Sequence, residues 1–533
     1  MSSRVSLRVW AVSPAILLAL AGGLRSQPCE VPEKGLAAIN EQSVRACVAF
    51  LASDRMRGRE TPSPELDSCA AFLAMRLRAA GLEAFLQPFN LLRSRLGEPN
   101  SVMLTLDGKH FVYRLRHDFV PVYLSGSGEV EAAVVFAGYG ITAPEYGYDD
   151  YAAVEAEGKV VLVFTHEPQE RDSSSVFDGA RETEHSTLQQ KVWNAHDHGA
   201  VGVLVVTDPN NHRFERPASE WTSSRPGAGG WSSFTLEERD RTPLLVMRVG
   251  KRLAEDLLAP SGRSLGRLQA EIDSTLAPQS FVIPGVRVRM CANLEQERLP
   301  TRNVVAVLRG RDPNLRDEAV VIGAHYDHIG TRNDTLIFNG ADDNASGTAG
   351  LVAIAEAFAS LGMPPRRSVV FVAFAGEEKG LYGSRFYAAN PVFPLSNTMA
   401  MLNMDMIGRN DTAAVEVDGT GHFPWLRDLV ERANARVGLR LHYSSRKAAP
   451  ASDATPFYWR RVAALNFTTG LHSDYHQPSD DVEKLVLPHL VDVARLVFGV
   501  AWLLANEDLP HQVAQDPHAS LPRGSAVRQS QRQ

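Results

Sequence analysis

The chain has 533 residues, 44% of them apolar and 22% charged, with a formal charge of −7 at pH 7. That length suggests two to four domains, and the composition is that of a globular protein with ample material for a core. The small negative charge and the lack of any basic run argue against a nucleic-acid partner.

The first residues, MSSRVSLRVWAVSPAILLALAGGLRSQ, place Arg4 and Arg8 ahead of an apolar stretch broken only by Ser13 and Pro14. Ala19-Leu20-Ala21 supplies a small-residue cleavage signal, so residues 1–21 are expected to be a secretory signal peptide. The stretch is well short of the ~20 apolar residues that a spanning helix needs. No later segment reads as long and apolar enough, so no stable membrane insertion is expected after cleavage. The pattern implies export, to a periplasm or outside the cell. Cys29, Cys47, Cys69 and Cys291 could then form up to two disulfides, and their spacing fits no zinc finger.

Residues 30–124 open with helical periodicity in VRACVAFLASD and LDSCAAFLAMRLRAAGLEAF, joined by the polar RMRGRETPSPE. From 125 to 275 the character changes to short β-rich runs (AAVVFAGYGIT, GKVVLVF, GAVGVLVVTD, TPLLVMRVG) between glycine- and proline-bearing loops, which reads as a separate inserted unit. Its histidines, His166, His185, His196, His198 and His212, show no ligand spacing and read as loop or surface residues. From 276 to 507, apolar runs of strand length (NVVAVLRG, AVVIGAH, SVVFVAFAG, MAMLNMDMIG, VAALNFTTG) alternate with helical stretches. That pattern predicts an α/β fold with a mostly parallel central sheet covered by helices on both faces. Residues 508–533 lack periodicity and are expected to be a disordered tail.

Polar clusters follow these runs, where open α/β sheets bind ligands: AHYDH, NGADDNASG, FAGEEKGLYGS, NMDMIG and LHSDYHQPSDD. Taken singly, each has a structural explanation. Asp342, Asp343 and Asn344 suit a helix N-cap, Glu377 and Glu378 a solvated pair, and His325 a satisfied histidine. Asp405, however, sits among core-type residues, where a lone carboxylate costs several kcal/mol unless paired or bound to a cation. Histidines and carboxylates without a thiolate form a ligand set for Zn²⁺, which Mn²⁺ or Co²⁺ could also use.

The five motifs GAHYDHIG, GADDNASGTAG, FAGEEKGLYGS, LNMDMIG and YHQPSDD together resemble the M28 zinc metallopeptidases of the secreted aminopeptidase type. LASDRMRGRE resembles that family's N-terminal helical region, and the β-rich unit resembles the protease-associated (PA) domain that some members carry as an insertion. The resemblance implies two Zn²⁺ per chain, held by His325, Asp343, Glu378, Asp405 and His476, with Asp343 bridging. It implies that Glu377 is the general base acting on a bridging water and that Asp327 hydrogen-bonds the His325 imidazole. Tyr475 matches a tyrosine that stabilises the oxyanion in some members. His328 has no counterpart as a ligand and is expected to be a loop or pocket-wall residue. Ala454 in SDATPF departs from the family, which often has histidine there, and this puts substrate preference in doubt rather than the metal chemistry.

The resemblance implies an exported dizinc aminopeptidase acting on peptides or proteins with a free N-terminus. Alternatives are a carboxypeptidase of the same family, a one-zinc glutaminyl-cyclase-like acyltransferase, and a non-catalytic binding protein. A carboxypeptidase would need a cationic cluster, for which Arg385, Arg409, Arg446 and Lys447 are candidates.

Overall fold

The computed structural model describes residues 29–509, apart from 173, 178, 180–181, 215–216, 218–233, 238–241, 334 and 444–451. The expected signal peptide and all but the first two residues of the expected tail therefore lie outside the described residues. Those two are held in place: Asp508 pairs with Arg366, and the Leu509 carbonyl accepts a hydrogen bond from Arg367 Nη2.

The chain builds two large sheets. The first has nine strands in the order Phe234–Leu236, Glu83–Leu96, Leu294–Leu308, Ser368–Phe374, Ala319–His325, Thr398–Met404, Ala464–Thr468, Ala414–Asp418, Arg440–Tyr443. Its centre is parallel: Ala319–His325 pairs in parallel with Ser368–Phe374 and with Thr398–Met404, which pairs in parallel with Ala464–Thr468; the edge strand Arg440–Tyr443 is also parallel to Ala414–Asp418. One flank is antiparallel because Glu83–Leu96 runs against Leu294–Leu308 along its full length, from Glu83 opposite Val307 to Leu96 opposite Leu294. On the other flank Ala414–Asp418 is antiparallel to Ala464–Thr468. The sheet is thus mixed, and the expectation of a mostly parallel one fails. The two strands flanking the insertion must leave and re-enter side by side, and alternation of strands with helices does not encode that constraint.

The central strands are buried on both faces, which explains their unbroken apolar sequences. Helices Glu41–Leu51, Pro64–Ala79, Gly347–Ser360, Pro424–Asn434 and Leu487–Asn506 cover one face. Tyr382–Ala389 and Thr455–Tyr458, with Phe393, cover the other. Leu487–Asn506 is long and apolar enough to cross a membrane, contrary to the sequence reading, and most of its apolar surface is buried against its neighbours. A helix apolar all round and enclosed on all sides is a core helix. Truncating its fully buried Leu504 to alanine would cost about 2–5 kcal/mol.

The second sheet has eight strands, with the parallel run Gly128–Phe136, Val160–Phe164, Gly202–Val206, Leu245–Val249 at its centre. It also recruits Ser101–Leu106, Lys109–Val112, Phe119–Pro121 and Phe281–Ala292, which lie on either side of residues 125–275. Helix Leu188–Asp197 packs on one face, and Lys251–Leu258 and Leu265–Thr275 on the other. The four cysteines are all free. Burial pushes the Cys47 and Cys69 thiols up to about 12, so both behave as small apolar groups.

Candidate metal centre and active site

The register His325 opposite Phe374, Gly323 opposite Asn403 and Asn403 opposite Asn466 aligns the carboxyl ends of the parallel strands. The polar clusters after each strand therefore converge. Between Ala319–His325 and helix Gly347–Ser360, the turn Ala341–Ser346 departs from helical geometry at Asp343 (φ −105°, ψ 94°), which turns that carboxylate inward. Gly340, at φ +56°, makes the approach feasible: a Cβ there would lie 2.2 Å from the Asp343 carbonyl and 2.5 Å from the His328 ring.

Asp343 stands between two groups of donors. Its Oδ1 lies 3.5 Å from His325 Nε2, which is 3.3 Å from Asp405 Oδ1 and 3.9 Å from Glu377 Oε2. Its Oδ2 lies 3.1 Å from His476 Nε2 and 3.7 Å from His328 Nδ1. Glu378 completes this side, with Oε2 3.1 Å from His476 Nε2 and Oε1 2.7 Å from His328 Nδ1. The donor atoms of His325, Glu377 and Asp405 lie within 4.8 Å of one another, as do those of His328, Asp343 and Glu378.

These donors face one another without bonding fully. His476 Nε2 and Asp343 Oδ2 are buried, 3.1 Å apart, and neither has a hydrogen bond of acceptable geometry. Orphaned buried donors and acceptors are costly, whereas lone pairs aimed at a common point are what a cation requires. The N/O donor set and its burial fit Zn²⁺.

The electrostatics follow from crowding. Burial opposes the His476 imidazolium, but Asp343 and Glu378 outweigh it and push the group up to about 10. Burial likewise opposes charge on His325, and Asp405, Glu377 and Asp343 override it, holding this histidine well above its usual range. The two adjacent acids diverge. Burial and the nearby carboxylates of Glu378, Asp405 and Asp453 hold Glu377 well above the carboxylate range despite His325. For Glu378, burial is outweighed by His328 and His476, which hold it well below. Neighbouring acids driven apart in this way are what a division into proton carrier and ligand requires.

Two sequence expectations need correction. Asp327 does not hydrogen-bond the His325 imidazole through its carboxylate, which stays 3.8 Å from Nδ1; the nearer group, at 3.3 Å, is the Asp327 backbone carbonyl. Its carboxylate instead accepts from the Thr61 hydroxyl (2.9 Å) and the Glu377 amide (3.2 Å), so it positions the start of the acidic loop. Burial pushes Asp327 up to about 6. His328 is no pocket-wall residue: it is fully buried and hydrogen-bonded to Glu378. The spacing H-Y-D-H hid this because the chain leaves the strand at His325, so strand alternation no longer says where residue 328 points.

Several further residues hold the site together. Asp480 accepts the Asp342 and Asp343 amides at 3.0 and 3.1 Å. Asn344 donates to the Met404 carbonyl and accepts from the Gly347 and Met406 amides. Arg59 is fully buried, and its guanidinium reaches the carbonyls of Leu51, Tyr326, Asn339, Gly340 and Asp343. The Gly58 and Arg59 carbonyls in turn accept the Gly330 and His328 amides. Asp453, beside the absent family histidine, is fully buried with neither carboxylate oxygen hydrogen-bonded, and burial pushes it up to about 7. Tyr475 is partly exposed and stacked on His476 at 3.8 Å between ring centroids. Burial and the surrounding carboxylates raise its phenol further, so it stays a neutral donor. Of the candidate cations, Arg409 pairs with Asp474 at 2.7 Å and lies 3.8 Å from Asp480, while Arg385 contacts Gln189 and the Tyr382 ring. Arg446 and Lys447 lie outside the described residues.

Residues 303–501 match peptidase family M28, and residues 127–238 match the PA domain. A "Probable leucine aminopeptidase" from Arthroderma otae is 29% identical over 325 residues, covering 58% of this chain and 86% of the relative. "Aminopeptidase YwaD" from Bacillus subtilis is 26% identical over 214 residues, 38% of this chain and 44% of the relative, so the chain spans under half of that protein. Among solved structures, the aminopeptidase from Aneurinibacillus sp. strain AM-1 aligns with a TM-score of 0.48 at 19% identity, over 89% of this chain and 96% of that one. The motif-bearing strands and the matched families together make the chain a zinc metallopeptidase of family M28 with an inserted PA domain.

Proposed function

We propose that this peptidase is an exported aminopeptidase that holds two zinc ions and removes residues from the free N-terminus of peptides. The observation that carries the two-ion reading is that the oxygens of Asp343 face different donor sets, His325 and Asp405 on one side, His476 and Glu378 on the other. A single-metal acyltransferase would have no use for the second set. In this reading those five residues are the ligands, and His328 orients Glu378 through its 2.7 Å contact. When bound, the metals would supply Lewis-acid polarisation of the scissile carbonyl and a water acidic enough to attack at neutral pH.

The chain's own residues supply the rest. Glu377, held above the carboxylate range, is suited to accept a proton near neutrality and return it to the leaving amine. The Tyr475 phenol is suited to donate to the developing oxyanion. The pocket favours an incoming ammonium over a carboxylate. Two divalent ions balance the charges of Asp327, Asp343, Glu378 and Asp405, and Glu377 and Asp453 remain as acceptors. The described cation at this rim, Arg409, is already paired with Asp474. Support for export rests on residues 1–21.

The test is hydrolysis of a panel of aminoacyl-anilides, with N-blocked peptides as controls, before and after chelation and Zn²⁺ add-back. Free-amine substrates alone should be cleaved, with activity lost on chelation and restored by zinc. Glu377→Gln should abolish turnover while keeping its metals; full activity in that variant would sink the assignment of the base.

A further inference from the structure

The PA unit contains a second group of metal-type donors, and for His166 and His212, though not for His185, His196 and His198, it corrects the sequence reading that these histidines show no ligand spacing. His166 and Glu170 stand four apart after strand Val160–Phe164, and Asp208 and His212 stand four apart after strand Gly202–Val206. The two strands are parallel neighbours with Phe164 opposite Val206, so their carboxyl ends present both pairs to one point. This is where parallel sheets bind ligands. Neither spacing is a zinc motif alone; the strand register makes them one cluster.

All four donor atoms lie within 4.8 Å of one another. His166 Nδ1 is 2.6 Å from Asp208 Oδ1 and 3.9 Å from Glu170 Oε2, and His212 Nε2 is 2.8 Å from Glu170 Oε1 and 3.7 Å from Asp208 Oδ2. A tetrahedron with zinc–ligand bonds of 2.0–2.1 Å places its donors roughly 3.3 Å apart, and the observed separations straddle that value. Asp208 is fully buried, and its Oδ2 has no hydrogen-bond partner although two imidazoles stand over it. The His166 and His212 rings stack at 3.8 Å between centroids, an arrangement that two imidazolium charges would oppose and that neutral ligating imidazoles tolerate. A supporting layer is also present. The Thr165 hydroxyl donates to Asp208 Oδ1, and Glu182 lies 3.7 Å from His166 Nε2, the nitrogen facing away from Asp208.

We propose that His166, Glu170, Asp208 and His212 bind a divalent transition-metal ion, zinc above all, separate from the catalytic centre. Two imidazoles and two carboxylates make a neutral complex with a divalent ion and close a four-donor shell, so the site is structural. It ties the loop after Val160–Phe164 to the loop after Gly202–Val206, beyond the backbone bond from the Thr165 amide to the Val206 carbonyl (2.9 Å).

The experiment uses the full chain, stripped with chelator, reconstituted with Zn²⁺, and assayed for zinc per chain by mass spectrometry. His166→Ala/His212→Ala should bind one zinc fewer than the wild type, keep its peptidase activity, and lose part of the zinc-dependent rise in Tm. A catalytic-centre variant, Glu378→Gln/Asp405→Asn, should retain the zinc that the first variant lost, which separates this proposal from the two-ion reading of the active site. If the double alanine variant does not fold, the near-isosteric Asp208→Asn carries the same comparison. Equal zinc content and an equal zinc-dependent Tm rise in wild type and PA variants would overturn the site.

Discussion

Replacing Arg59 by methionine removes a charge that is fully buried and clasped by five backbone carbonyls from three segments. Two of those carbonyls belong to Gly340 and Asp343, and a third, that of Tyr326, follows His325 directly. A net hydrogen bond to a charged group contributes about 1.5–3 kcal/mol, and removing one partner of a buried ionic arrangement costs about 3–5 kcal/mol. The five contacts share one group and are not additive, so we expect a loss of about 3–5 kcal/mol for Arg59→Met, a large part of the 5–15 kcal/mol a folded domain typically has. Arg59→Lys keeps the charge but loses the fork, and should fall between. Metal should be released more readily as well, because the carbonyls set free belong to the segments carrying His325 and Asp343. The assay pairs urea denaturation with competition for zinc by a chromophoric chelator. Stability within about 1 kcal/mol of wild type, with unchanged zinc retention, would refute the view that Arg59 holds the metal loops in register.

Three other outcomes are expected. His328→Ala frees Glu378 from its 2.7 Å partner and should weaken zinc binding about 10–100-fold in the same competition assay. Tyr475→Phe should lower kcat by about 10²–10³ with little change in KM if the phenol serves the oxyanion, whereas a rise in KM alone would assign it to substrate binding. In the PA unit, burial raises Asp150 to about 7 from its ordinary 3.8, despite hydrogen bonds from the Tyr139 and Ile141 amides and the Tyr148 hydroxyl. Between those values the folded state holds a proton that the unfolded state has released, so this contribution to stability is complete below about 4 and is lost as pH rises to about 7. Asp150→Asn mimics the protonated acid, and relative to wild type it should gain a few kcal/mol in denaturation experiments between pH 4 and 8.

Five motifs, four at the ends of apolar strands and one opening helix Gly347–Ser360, made the candidate metal centre legible in the sequence. Residues of that type at strand ends have few other uses, and a mostly enclosed carboxylate such as Asp405 demands a counter-charge. The same local logic failed where contact depends on how distant segments lie together. The central sheet is mixed because the strands bordering the insertion pair along their whole length. Arg59 is distant in sequence from His325 and touches its neighbour Tyr326 only because helix Glu41–Leu51 and its following turn pack under the strand ends. His328 reads as the tail of a motif and is in fact wedged against Glu378. The PA histidines look scattered in the chain, and the parallel register of Phe164 with Val206 gathers His166 and His212 onto one carboxylate. Sequence alone determined which polar residues stand at the strand ends as candidates for the chemistry and which strands bear them, because motif and spacing are local properties. Only the tertiary structure decided which loops meet, because strand order and register are set by packing between segments far apart in the chain.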